Sequence, residues 1–167
     1  MLSEYTIRPV ENNDLTFLED MLYEAAAVAE TMRALGREQA LTLPSVNKYL
    51  VGWGRAGDVG RIAVDHRQVP LGAAWYRLFP VEEPGYGFVA ADIPELTIGV
   101  RDDVRGKGVG GALLQSLLSA AAEQGLTALS LSVDRQNPAK KLYERSGFRD
   151  AGISRPQDSS VTLVYRF

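Results

Sequence analysis

The stretch from Glu95 to Gly125 constrains this chain most. Leu96, Ile98 and Val100 alternate with Glu95, Thr97 and Gly99, the period of two expected of a strand with one face buried. A charged link, Arg101 to Val104, follows. Arg105-Gly106-Lys107-Gly108-Val109-Gly110-Gly111 then opens a segment in which Leu113, Leu114, Leu117, Leu118 and Ala121 recur at helical spacing. Gly125 is placed to end that helix, because glycine takes the left-handed conformation with no Cβ clash. The first turn of a helix carries amides without intrahelical partners and the positive end of the peptide dipoles. Glycines keep side chains off those amides, and Arg105 and Lys107 add positive charge at the same mouth. The segment therefore reads as an anion site suited to phosphate. The plainer alternative is a glycine-rich turn with its basic residues in solvent.

Two phosphate motifs do not fit. The nucleoside-triphosphate loop needs Gly-Lys followed by Ser or Thr, whereas Lys107 precedes the last glycines and no hydroxyl residue follows them. Gly106-x-Gly108-x-x-Gly111, with Asp134 downstream, matches the dinucleotide fingerprint in letters. That fingerprint sits directly after its strand, but five residues separate Val100 from Gly106. Only 33 residues follow Asp134, too few to complete a doubly wound sheet.

The rest of the chain supplies further elements. Tyr5 to Val10 reads as a strand. Asn12, Asn13 and Asp14 offer N-cap chemistry for a helix to about Ala29, with Leu15, Leu18, Leu22, Ala25 and Ala29 as its apolar stripe. Glu30 to Leu43 reads as helix end and loop. Pro44 starts a second helix carrying Val46, Tyr49, Leu50 and Trp53. Core packing is the first account of Tyr49, Trp53 and mid-strand Trp75. Arg61 to Asp65 and Pro70 to Phe79 form a hairpin whose turn holds His66, which reads as an exposed turn residue rather than a base. Val81 to Pro94 is a long irregular loop, a type that often serves function. Its Tyr86 and Phe88 read either as pocket walls or as anchors. Ala128 to Asp134 alternates Leu129, Leu131 and Val133 with Ser130 and Ser132. Asn137-Pro138 starts a short helix that Gly147 ends, and two strands, Phe148 to Ile153 and Val161 to Phe167, close the chain. The order fits one α/β domain over residues 1–167, a mixed sheet of about seven strands flanked by about four helices.

Arg105-x-x-Gly108-x-Gly110 after a strand resembles the acyl-coenzyme A loop of the GNAT-type N-acetyltransferase superfamily. Asn137-Pro138-Ala139 leading to Leu142-Tyr143 and Gly147-Phe148 resembles its second acyl-CoA segment. The resemblance implies an acetyl-CoA-dependent N-acetyltransferase acting on a primary amine by direct attack in a ternary complex. Acetyl-CoA would be a co-substrate, and no metal would be needed. The loop from Arg105 through Gly106, Lys107, Gly108, Val109, Gly110 and Gly111 would hold the pyrophosphate. Backbone groups of Ile98, Gly99 and Val100 would run beside the pantetheine arm. Asn137 would bond that arm or else cap its helix. Tyr143 occupies the position of the acid that returns a proton to the thiolate, with core packing as its alternative. The first two helices would wall the acceptor side. One departure is that Asp102 and Asp103 stand where many relatives carry proline, which suits the pyrophosphate only if they face solvent or pair with Arg101.

An alkylammonium near pKa ~10 is mostly protonated at neutral pH, so a base assists attack. Glu95 is the candidate, acting through water, unless it is a solvated strand-end carboxylate. Glu82, Glu83, Asp92 and Glu95 favour a cationic acceptor, small molecule or peptide. Two rival readings stand beside this one: a non-catalytic acyl-CoA-binding or sensing module, and an NAD(P)-dependent oxidoreductase built on the fingerprint.

Composition narrows the field. A net charge of −3 gives no general attraction to nucleic acid or anionic lipid. The absence of cysteine removes disulfides, thiolate metal sites and a cysteine nucleophile, and the single histidine disfavours multi-histidine metal sites. Met1 to Val10 lacks a signal-type apolar core, and no run is long enough to span a bilayer. A cytoplasmic protein is expected, and the resemblance leaves a homodimer open.

Overall fold

The β-alternation and helical stripes of the chain fold as a single mixed sheet with helices on both faces. The computed structural model describes residues 4–167, so Met1 to Ser3 of the N-terminal stretch read above lie outside it. Its elements are β1 (Tyr5–Pro9), α1 (Leu15–Ala26), α2 (Glu30–Leu35), α3 (Arg37–Ala40), α4 (Pro44–Asn47), β2 (Val59–Asp65), β3 (Pro70–Arg77), β4 (Glu95–Val100), α5 (Val109–Glu123), β5 (Ala128–Asp134), α6 (Ala139–Arg145), β6 (Arg149–Asp150) and β7 (Ser160–Arg166). The strands order as β1-β2-β3-β4-β5-β7-β6. All neighbours pair antiparallel except β4 and β5. A sheet with one parallel pair is not the doubly wound architecture that the dinucleotide fingerprint requires.

The alternation in β5 decides which residues meet which layer. Leu129, Leu131 and Val133 join Leu113, Leu114, Leu117 and Leu118 of α5 in the larger core. On the opposite face, Leu18, Met21 and Leu22 of α1 pack with Val46, Tyr49, Leu50, Trp75 and Phe79. Gly99 makes the α1 contact possible: a Cβ there would lie 2.6 Å from the Met21 carbonyl oxygen.

Seven strands match the expectation, whereas the described residues hold six α-helices rather than about four. The additions, α2 and α3, lie in the stretch read as helix end and loop, separated by Gly36 at φ +82°. α1 stops at Ala26, not Ala29. The helix after Pro44 is a single turn, followed by turns through Gly52. The strand expected over Phe148 to Ile153 contracts to two residues. Among the described residues, no helix is long and apolar enough to cross a membrane.

Candidate active site

β4 and β5 share a single register pair, Glu95 with Ser130, and the Ser130 N–H donates to the Pro94 carbonyl at 3.0 Å. Beyond that rung the strands diverge. On its other edge β4 remains paired with β3 through Val100, and the Arg101 N–H donates to the Leu71 carbonyl at 2.8 Å. Antiparallel alternation then turns the backbone groups of Thr97 and Gly99 toward β3 and those of Ile98 and Val100 toward the gap. Of the three residues expected beside an acyl carrier, Ile98 and Val100 present backbone to the wedge. Gly99 does not, although it lines the groove.

That groove has a volume of about 570 Å³ and runs from the wedge to the start of α5. Gly106 at φ +78° and Gly108 at φ +86° take the left-handed conformation that side chains disfavour. Gly110 and Gly111 have a different reason to be bare. A Cβ on either would meet only Leu142 and Val100 at 3.6–3.7 Å, ordinary contacts, so packing does not demand glycine there. A longer side chain would occupy the groove instead. No side chain caps the helix start, and its first backbone bond runs from the Ala112 N–H to the Gly108 carbonyl at 3.1 Å. The amides of Val109, Gly110 and Gly111 therefore have no intrahelical acceptor. A diphosphate fits such an end.

The basic residues of the loop behave less simply than the sequence suggests. Arg105 pairs with Asp102 at 2.9 Å and Glu24 at 3.2 Å, which reduces its free charge. Lys107 is exposed and does not line the groove. Asp103 pairs with Arg101 at 2.5 Å, so both aspartates of the link are exposed and matched to arginines.

A second cavity of about 290 Å³ shares Ala25, Val28, Ile98, Asn137 and Tyr143 with the groove. Glu95 lines it and is only 3% exposed, which removes the solvated-carboxylate reading. Burial pushes its carboxyl up to about 7, against the pull of the Tyr49 hydroxyl, the Gly87 amide and the Lys48 charge. The Tyr49 O–H donates to Oε2 at 2.8 Å, while buried Oε1 has no hydrogen-bond partner. Next to it on β5, the Ser130 hydroxyl is likewise buried and unpartnered. Tyr143 lines both cavities, and burial raises its phenol to about 12. The Asn137 side-chain oxygen accepts the Ala139 N–H at 2.9 Å, so it caps α6; the two amide N–H donors of the side chain are not used by that bond.

Sequence reasoning favoured packing for Tyr49, with a wall of the acceptor side as the alternative, did not foresee its hydrogen bond to Glu95, and left the loop before β4 open. Tyr86 lines the second cavity and is 63% exposed, whereas Phe88 packs against the α1-side core. His66 is an exposed turn residue, as expected.

The acetyltransferase (GNAT) family model matches residues 22–148. The chain belongs to the GNAT acetyltransferase family. A mycothiol acetyltransferase of Corynebacterium aurimucosum is 36% identical over 78 residues, covering 46% of this chain and 24% of that protein. An L-2,4-diaminobutyric acid acetyltransferase of Nocardia farcinica is 32% identical over 106 residues, covering 52% and 55%. The chain thus spans from about a quarter to about half the length of these curated relatives. A GCN5-related N-acetyltransferase structure from Kribbella flavida superimposes with TM-score 0.67 at 23% identity over 98% of both chains. The PaiA N-acetyltransferase of Thermoplasma acidophilum, solved in complex with coenzyme A, gives 0.66 at 16% identity, covering 99% of this chain and 100% of that one. At these identities the two structures establish a shared GNAT fold.

Proposed function

We propose that this GNAT protein is an N-acetyltransferase with acetyl-CoA as co-substrate and a primary amine as acceptor. One observation carries the reading: β4 and β5 part after the Glu95–Ser130 rung, and the opened edge joins a glycine-lined helix mouth on one side and a cavity holding a buried carboxylate on the other. Acetyl-CoA would supply the activated acyl group. The amides of Val109, Gly110 and Gly111 suit its pyrophosphate, and the Ile98 and Val100 backbone suits its arm. In the net reaction a carbon–nitrogen bond forms, a carbon–sulfur bond breaks, and the proton lost by the amine is balanced by the one gained by the thiolate.

The residues of the chain handle those protons. Direct attack uses neither a protein nucleophile nor a metal. Glu95, with its carboxyl near 7, is a better match to a base working at neutral pH than an ordinary carboxylate. Tyr143 stays protonated across that range. Complete transfer from a phenol near 12 to a thiolate of ordinary pKa, ~8.5, is uphill by roughly 5 kcal/mol. Tyr143 therefore acts first by donating a hydrogen bond to the developing thiolate.

The acceptor cavity narrows the amine. Leu22, Ala25 and Val28 form an apolar wall; Ser132, Ser159 and Ser160 contribute hydroxyls on the other side. Its charged lining is Glu95 and Asp134, with no Lys, Arg or His among the described residues. A carboxylate on the acceptor would meet like charge there. Amines without a carboxylate are expected to outperform amino acids such as 2,4-diaminobutyrate. A thiol-release assay with acetyl-CoA and an amine panel, paired with calorimetric titration of CoA, tests the reading. Turnover with a carboxylate-free amine is the expected result. Binding of CoA with no turnover on any amine would leave a binding module, and no binding would remove the donor assignment.

A further inference from the structure

The Tyr49 hydroxyl joins parts of the chain that are far apart in sequence. It donates to Glu95 Oε2 at 2.8 Å and accepts the Tyr86 N–H, also at 2.8 Å. The residue itself is held firmly. Its carbonyl accepts the Trp75 indole N–H at 3.1 Å, its ring packs edge-on against Phe79 at 5.1 Å, and it is 8% exposed. The segment above Glu95 has no room to spare. A Cβ on Gly85 would collide with Glu95 Oε1 and lie 3.0 Å from the Tyr49 hydroxyl. A Cβ on Gly87 would lie 2.5 Å from the Leu131 carbonyl carbon. Neither glycine has positive φ, so both are small for close approach rather than for backbone shape.

We propose that Tyr49 is the positioning residue of this site: its hydroxyl holds Glu95 by Oε2 and fastens the Gly85–Gly87 segment over it, so that Oε1 is the oxygen left to take a proton. The proposal rests on Glu95 being the base of the acetyl transfer described above.

The other polar groups around the carboxylate do not duplicate this role. Arg77 stands opposite Glu95 in register on β3, but its guanidinium binds Asp58 at 2.7 and 3.0 Å and the Lys48 and Val51 carbonyls. Lys48 donates to the Pro84 carbonyl at 2.8 Å and lies 4.8 Å from the centre of the Tyr86 ring. Ser130 on β5 has an unpartnered hydroxyl, and the Gly87 amide is a weaker influence than Tyr49. α1 presents Leu22, Ala25 and Ala26, without charge, to this cavity. Tyr49 is the side chain hydrogen-bonded to the carboxylate. Removing its hydroxyl withdraws a donor from the ionised form, so the carboxyl must titrate higher.

Tyr49→Phe tests this by two readouts. A hydrogen bond to a charged group corresponds to a shift of about one to two pH units. The rising limb of the kcat/KM–pH profile is expected to move upward by that amount. The pH-dependent loss of folding stability expected of the wild type, and not of Glu95→Gln, should extend upward by the same amount in this variant. A variant with lower activity or stability but an unmoved midpoint would make Tyr49 a packing residue and overturn the proposal. If the wild type turns over no amine, the base assignment fails, while the stability readout still decides the Tyr49–Glu95 link. If Tyr49→Phe does not fold at neutral pH, folding is expected to return at pH 5 or in the Glu95→Gln background, where the carboxylate charge is absent. Failure to fold under both conditions would also overturn the proposal.

Discussion

Replacing Glu95 by glutamine gives the sharpest test of the site, because it needs no knowledge of the acceptor. Burial raises the carboxyl from its ordinary 4.5 to about 7 in the folded protein. Between these values the folded chain holds a proton that the unfolded chain has released. Stability therefore falls as pH rises through the window and levels off above about 7. The difference of about 2.5 units, at roughly 1.4 kcal/mol per unit, amounts to about 3 kcal/mol. Glu95→Gln lacks this titration, so the stability of the wild type minus that of the variant should decline by about 3 kcal/mol between pH 4.5 and 7.5. Urea unfolding at closely spaced pH values measures both curves, with matched m-values as the check on two-state behaviour. Asp14, whose carboxyl is held low by its hydrogen bond from Arg8, titrates at the acid end in both proteins and cancels in the difference. Parallel curves across the window would refute the argument, because a carboxylate that titrates normally is neither desolvated nor poised as a base.

Three other perturbations probe the surrounding structure. Gly85→Ala drives a methyl group against Glu95 and Tyr49; overpacking of about 1–3 kcal/mol and at least a tenfold loss in kcat/KM are expected, and an unaltered kcat/KM would mean that the segment is not fixed over the carboxylate. Tyr143→Phe should lower kcat about a hundredfold at every pH from 6 to 9 while leaving the KM for acetyl-CoA nearly unchanged, as steady-state kinetics can show; unchanged kcat would remove the phenol from the chemistry. Asp58→Ala strands the Arg77 guanidinium, since the side chains of that pair are 2% and 1% exposed. Chemical denaturation should show a loss of about 3–5 kcal/mol, and a loss below about 1 kcal/mol would show that the guanidinium finds water or another partner.

The sequence made the glycine-lined helix mouth legible and the surroundings of Glu95 much less so. Alternation in Leu129, Leu131 and Val133 located β5 and its buried face because a strand writes its environment into a local pattern. The glycine run before α5 was equally readable, since helix ends and left-handed turns have local signatures. Glu95 could be picked out by its place on β4, but its burial could not. The residues that cover it, Gly85 to Gly87, belong to an irregular loop whose glycines answer to a neighbour rather than to their own φ. Tyr49 showed the same limit. Its helical spacing placed it in the core, where its ring lies, but its hydroxyl meets a residue 46 positions away. Lys107 shows the converse: nearness in sequence to the glycines suggested a role at the groove, whereas its neighbours Gly106 and Gly108 line the groove and Lys107 does not.

The lone rung between Glu95 and Ser130 has a mechanical consequence. The sheet is two half-sheets, β1–β4 and β5-β7-β6, stitched at one point through the backbone, and the candidate cleft is the seam between them. A molecule seated in the cleft would meet residues of both β4 and β5 and could supply the missing stitches. The fold is therefore expected to breathe first along this line, and ligand binding there to stiffen the whole sheet.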